Sequence, residues 1–208
     1  MFRLGRMCLL VLLLAAAVAP DAVLQAAPGA EPAKDDPFVG RLLVATPSLN
    51  DPNFAHTVVF LVHHDAGGAM GLVINRVLAT GPLSVLLDGF GIDPDAGTST
   101  EIRVFAGGPV QQGEAFILHS TDYSASDTVP VDDDVALTRS LDVLRDMANG
   151  EGPRHALLAL GYAGWGPRQL ENELALGAWD VVTADETLLF DEEVETKWQR
   201  ARRRGIDL

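Results

Sequence analysis

Five histidines stand in the chain, and three of them fall within nine residues, in FAHTVVFLVHHD at 54–65. Imidazoles at close spacing raise two chemistries: ligation of a transition metal, and general base catalysis beside a hydroxyl or carboxylate. The surrounding residues are apolar and rich in β-branched types, which reads as a strand. Successive strand side chains point to opposite faces, so His63 and His64 diverge. His56 and His64 share a face but lie eight residues apart, about 26 Å at a rise near 3.3 Å per residue. No pair on one regular strand chelates one ion, and a zinc site needs three or four ligands. The expectation is no metal site, with His56 opening the strand and His63 or His64 capping a sheet edge near the turn.

Nucleophilic catalysis has raw material in Ser48, Ser120, His64, His119 and Asp51, which a fold could assemble into a triad. The chain has no G-x-S-x-G elbow. LHS at 118–120 sets His119 beside Ser120, but adjacent strand residues face apart. GYAGWGPRQL at 161–170 runs from a strand through a glycine-rich turn into a helix start, an arrangement that presents backbone N–H groups to an anion. It matches neither the dinucleotide fingerprint nor the phosphate loop. The favoured reading is structural: glycines permit the turn, and Tyr162 and Trp165 pack over it. No cofactor is implied.

The elements that must position these residues alternate irregularly. GRLLVAT is a strand that stops at Pro47, and PSLNDPNF is a loop with turn chemistry at Asn50-Asp51-Pro52. HTVVFLVHH and AMGLVINR, joined by DAGG, form a hairpin over 56–76. GPLSVLLDGFG is a short helix closed by Gly89. EIRVFAGG and EAFILHS are strands flanking Gly107-Gly108-Pro109. Ser140 reads as the N-cap of LDVLRDMANG, RHALLALGYAG as a buried strand, and Pro167 as the first residue of the helix PRQLENELALG. AWDVVTA is a strand, and a helix near 191–204 begins with acids and ends with arginines, matching the helix dipole. A hairpin among interleaved helices predicts an α+β domain with a mixed sheet.

The chain of 208 residues carries 15 Lys and Arg against 29 Asp and Glu, a net charge of −14. Such acidity repels phosphate backbones, so nucleic acid is not an expected partner. Arg3 and Arg6 precede an apolar run from Met7 to Ala19, 13 residues, ended by Pro20 and followed by small residues. That order predicts a cleaved secretory signal within residues 1–27, cut between 19 and 27, and a periplasmic or secreted protein with no stable membrane span afterwards. The run is shorter than the roughly 20 residues that span a bilayer. An uncleaved segment anchoring the protein to the membrane is the alternative. Residues 28–37 read as a polar, Pro-containing linker, and one domain occupies 38–208. Cys8, the sole cysteine, lies in the signal, which excludes disulfides and thiol catalysis from the remainder.

Three strings, TPSLNDPNFAHTVVFLVHHDAGGAMGLVINR, AGGPVQQGEAFILHS and ALLALGYAGWGPRQLENELALGAW, resemble the AlgH/YqgE family of bacterial proteins in order and spacing. The resemblance covers residues 38–208. It implies an α+β fold whose sheet curls into a pseudo-barrel with flanking helices, and it brings no accepted catalytic set. Some members are called transcriptional regulators, and many carry a cysteine where Val62 stands. The expectation is a non-enzymatic exported protein that binds a small molecule or a protein; a cytosolic transcriptional regulator and a serine hydrolase are the alternatives. Because loops carry function, the expected binding surface lies where loops gather. Its candidate residues are Pro47, Ser48, Asp51, Phe54, His64, Met70, Asn75, Gly107, Gly108, Pro109, His119, Ser120 and Trp165.

Overall fold

Strand-forming residues of period two and near-continuous apolar runs dominate the chain from Arg41 onward, and they assemble one ten-stranded sheet. The computed structural model describes residues 36–92 and 100–206. Residues 1–35, which hold the expected signal and most of the linker, lie outside the described residues.

The strands are β1 (Arg41–Ala45), β2 (Val58–Asp65), β3 (Gly68–Val73), β4 (Val77–Pro82), β5 (Glu101–Ala106), β6 (Val110–Ser120), β7 (Val129–Pro130), β8 (Val135–Thr138), β9 (Ala156–Trp165) and β10 (Trp179–Thr183). Five helices interleave: α1 (Leu83–Gly89), α2 (Asp142–Asn149), α3 (Gln169–Ala175), α4 (Glu186–Phe190) and α5 (Val194–Ile206). The sheet runs β10-β1-β2-β3-β9-β6-β8-β7, with β5 parallel beside β9 and β4 outside β5. A single parallel pair among antiparallel ones makes the sheet mixed, and it curls into a half-barrel, as the α+β expectation required.

β9 organises the curl. Its first half lies between β5 and β6, and its last residues pair with β3 instead, Ala163 opposite Gly71 and Trp165 opposite Ala69. Gly161, at φ 72°, sits at the changeover. Gly107 and Gly108 thread the backbone past it: a Cβ on Gly107 would stand 2.2 Å from the Gly161 carbonyl oxygen, and one on Gly108 2.0 Å from the Tyr162 carbonyl carbon. Only glycine permits that approach.

The two faces are covered differently. The inner face buries Phe60, Phe116, Leu118 and Tyr162 against Leu188, Leu189, Val194 and Ala201 of α4 and α5. On the outer face, α3 with Phe54, Trp165 and Trp179 covers one half, and α1 and α2 cover the other over Val104, Ile117 and Leu158.

Several element boundaries differ from the sequence reading. The hairpin is present, but β2 starts at Val58, because His56 takes a left-handed φ of 59°. β4 is an additional strand. Gly89 is the last residue of α1 rather than its cap, and the reversal falls at Gly91, φ 71°. Pro167 does not start α3: Arg168 follows at φ 62° and the helix begins at Gln169. Ser140 lies one residue before the N-cap position, Leu141, yet its hydroxyl still accepts from the Asp142 amide at 3.2 Å. The last helix starts at Val194 rather than near 191.

Candidate functional site

β2 does not deliver its histidines as a cluster. A bulge between Leu61 and His63 breaks the regular alternation. His63 Nε2 faces Asp65 at 3.3 Å. His64 is held between two carboxylates, Nδ1 to Asp36 at 2.6 Å and Nε2 to Glu171 at 3.2 Å, with Phe38 edge-on to its ring. Burial alone would push the His64 imidazolium pKa down, but the paired carboxylates override it and hold it above its ordinary value. Asp36 is likewise opposed by burial and yet held below the usual carboxylate range by His64 and by the Phe38 and Val39 amides. His56 lies edge-on to Trp198 at 4.4 Å. Among the described residues no three His, Cys, Asp or Glu side chains converge to hold a metal ion.

The hydroxyls are spent on structure. Ser48 Oγ pairs with Thr46 Oγ1 at 2.7 Å and reaches the Gly177 carbonyl. Ser120 Oγ donates to Asp122 at 2.5 Å and accepts from the His155 amide at 3.1 Å. His119 is fully buried, its Nδ1 against the Ser120 carbonyl at 2.9 Å and its ring edge-on to Tyr123. Strand alternation sends it to the face opposite the Ser120 hydroxyl.

The remaining candidates divide by role. Asp51 Oδ1 accepts from the Asn53 amide, and its carbonyl oxygen accepts from Phe54 and Ala55, fixing the loop. Exposed Pro47 leads into that loop, and exposed Pro109 follows the threaded Gly107-Gly108 pair. Phe54 is buried between Trp165 and Trp179. Met70 belongs to the inner core. Trp165 donates to Glu173 Oε2 at 2.9 Å, Trp179 donates to the same oxygen at 2.8 Å, and Gln169 Nε2 donates to Oε1 at 2.9 Å. Gln169 Oε1 accepts from the Gly166 amide, so a side chain occupies the turn that could have held an anion. Asn75 bridges Val58 and His56, accepting at 2.8 Å and donating at 2.9 Å.

A concave surface among the described residues lies elsewhere, and of the thirteen candidates only Asn75 lines it. A cavity of about 240 Å³ opens between β4–β5 and the corner joining α4 to α5, floored by Phe105, Leu157 and Phe190. An outer cleft of about 640 Å³ shares Thr80, Arg103 and Glu192 with it and adds Asn75, Glu193 and Glu195. Arg103 ties the two walls, donating from Nη1 to the Glu192 carbonyl at 3.4 Å and standing 3.5 Å from its carboxylate. Asp191, in the wall of the inner cavity, is paired with Arg200 and faces Lys197 Nζ at 3.4 Å. Lys197 is fully buried and donates to the Leu189 carbonyl at 2.9 Å. Burial lowers its pKa to about 8, partly resisted by Asp191.

The sequence carried one signal for this corner. Val194, Lys197, Trp198 and Ala201 follow the i, i+3, i+4, i+7 spacing of a buried helix stripe, and a lysine in such a stripe is out of place. Arg103 and the glutamates have no comparable signature, since charged residues on strands and helix starts are ordinary surface chemistry.

A UPF0301 protein of Methylococcus capsulatus is 44% identical over 162 residues, covering 78% of this chain and 88% of the relative. One from Rhodospirillum rubrum is 46% identical over 171 residues, covering 82% and 88%. The solution structure of the AlgH protein from Pseudomonas aeruginosa superimposes with a TM-score of 0.68 at 40% identity, covering 82% of this chain and 91% of that one. A Corynebacterium diphtheriae crystal structure, at 19% identity and a TM-score of 0.65, shares the fold. A family model described as AlgH-like matches residues 42–208, and the chain belongs to that AlgH/YqgE family.

Proposed function

We propose that this AlgH-like protein is exported and acts as a non-enzymatic binding protein, with the cleft between β4–β5 and the α4–α5 corner as its binding site. The observation that carries the reading is the cleft itself. It combines an apolar floor with convergent charged and hydroxyl groups, the usual composition of a ligand site, and its outer part has the usual volume. The employment of Ser48 and Ser120 away from the imidazoles supports binding over hydrolysis by those groups. At the basic end of α5, Arg200 and Arg204 engage Asp191 and Asp185, and Arg202 lies over Trp198. That arrangement leaves the end of α5 without an unengaged basic stripe among the described residues for a nucleic-acid role to use.

Two measurements test the reading. Intact mass with cell fractionation should find a periplasmic species lacking about 19–27 residues; a full-length cytosolic species refutes export. Ligand-observed NMR with a fragment library should find ligands that bind the wild type and are lost in Arg103→Ala. Ligands that bind both forms equally place recognition outside the cleft.

A further inference from the structure

β4 is an edge. It pairs with β5 and with no other strand among the described residues. The Leu83 amide donates to Thr100 at 2.8 Å, and Gly81 lies opposite Ile102 and Ala79 opposite Val104 in the same register. In an antiparallel pair the backbone groups of alternate residues face the partner. Those of 79, 81 and 83 therefore face β5, and the N–H and C=O of Thr80 face away. Pro82 occupies the next outward position, where its missing N–H costs no ladder bond.

Natural edges are commonly blunted with lysine or another charge. This one carries no charge and is shielded only by a bulge and a proline: residues 77–87, VLATGPLSVLL, hold no charge in a chain of net charge −14, and Val77 and Leu78 are exposed. A bulge at Val77/Ala79 and Pro82 bound the open stretch, leaving a short window centred on Thr80. The side chain of Thr80 lines the cleft on the inner face, and Glu101, Glu193 and Glu195 stand around the same cleft. Among the described residues these three glutamates enter no close ion pair, although Glu193 lies in the field of Arg200, and Glu192 is engaged with Arg103.

We infer that the β4 edge and the cleft beneath it together dock an extended, lysine- or arginine-bearing segment of another polypeptide, added to the sheet as one more strand. The inference rests on the binding reading above and names the partner for that site. Charge selects the occupant. A second copy of this chain would bring the same glutamates and the same net charge against the cleft, which like-charge repulsion opposes. In a strand laid along β4, every other side chain points to the inner face. There a cation meets Glu193 and Glu195, while the backbone pairs with Thr80.

The test uses the chain lacking residues 1–27 and a fluorescein-labelled octapeptide of alternating lysine and threonine, read by anisotropy. Binding is expected, weakening as salt is raised. Backbone N-methylation of alternate residues in the peptide keeps its charge and blocks pairing, and should weaken binding about tenfold or more. Thr80→Pro, which removes the outward N–H, and the double change Glu193→Gln and Glu195→Gln should each do the same; Thr80→Ala, which removes the cleft-lining hydroxyl but keeps the N–H, should not, and thermal melts check that each variant folds. Equal binding of the N-methylated peptide reduces the interaction to unspecific charge and overturns the proposal. So does a dimer in sedimentation that Thr80→Pro dissociates, because the second copy then covers the edge. If the octapeptide fails to bind while Arg103-dependent fragments still do, the docking proposal falls and the binding reading stands.

Discussion

Lys197 carries a charge into a place where charge is costly. Its stem fills a core position of α5, and its ammonium meets the Leu189 carbonyl and one oxygen of Asp191. Desolvation outweighs the attraction of Asp191, so the folded-state pKa falls from 10.5 to about 8. The sign follows from proton counting. Between about pH 8 and pH 10 the unfolded chain holds this proton and the folded chain has released it, so stability rises with pH, by up to about 1.4 kcal/mol per unit. Tyr123 and Tyr162 have raised pKa values from burial and act in the opposite direction, but only above their ordinary value of 10.0. Lys197→Met should abolish the alkaline rise in urea-unfolding stability. At neutral pH it should change stability by less than about 2 kcal/mol, because losing the bond to Leu189 is offset by removing a buried ammonium. A variant whose stability climbs in parallel with the wild type would show that Lys197 keeps an ordinary pKa.

Seven-residue helices are too short to stand alone, and beside the buried Leu170 the carboxylate of Glu173 fastens α3 to the sheet. Glu173 accepts two indole N–H groups and a glutamine amide, tying α3 to β9 and β10 across the outer core. Glu173→Ala leaves both indole N–H groups unpaired in buried surroundings. It should cost roughly 3 kcal/mol, at 1–3 kcal/mol per orphaned group, and shift the tryptophan emission of the folded state. A loss under about 1 kcal/mol would mean that water replaces the carboxylate. How much of this was legible in the sequence depended on range. The β2–β3 hairpin is local and is read from residue types, whereas Gly107 and Gly108 meet Gly161 and Tyr162 across the sheet, and Trp165 packs on Phe54 and Trp179 rather than over its own turn. The convergence of two tryptophans on Glu173 joins 165, 173 and 179 through packing that spacing does not encode. β4 escaped because Gly81-Pro82 reads as the start of the following helix, whereas in the fold Pro82 ends an edge strand, a place where proline is tolerated. The cleft escaped for a deeper reason. Its walls come from 75–80, 101–105 and 191–196, and the loops first favoured as the binding surface lie elsewhere on the molecule.

The whole molecule has a seam where the N-terminal region meets the domain. Asp36 caps the Phe38 and Val39 amides at 2.8 and 3.1 Å and holds His64, which in turn reaches Glu171 of α3. The junction is thus fastened to β2 and α3 rather than left to the preceding linker. Its strength depends on pH in two directions. Asp36 has a lowered pKa, so its contribution is present above the unfolded value of 3.8 and is lost as pH falls through the folded one. His64 has a raised pKa, so its contribution is complete below the unfolded value of 6.5 and is lost as pH rises through the folded one. The seam is therefore tightest between those two unfolded values. Two forms of the protein separate this effect from the rest of the fold: one beginning at residue 28 and one beginning at Phe38, which lacks Asp36. Both should fold, since the core is built from residues 42–201. The shorter form should be less stable by about 1–2 kcal/mol near pH 5, the worth of a charge-assisted hydrogen bond with its caps. The gap should narrow above neutral pH as His64 loses its proton, without closing, because the caps on Phe38 and Val39 do not titrate there. A gap that stays constant from pH 5 to pH 8 would show that Asp36 acts through its caps alone and that the His64 contact adds nothing to the seam.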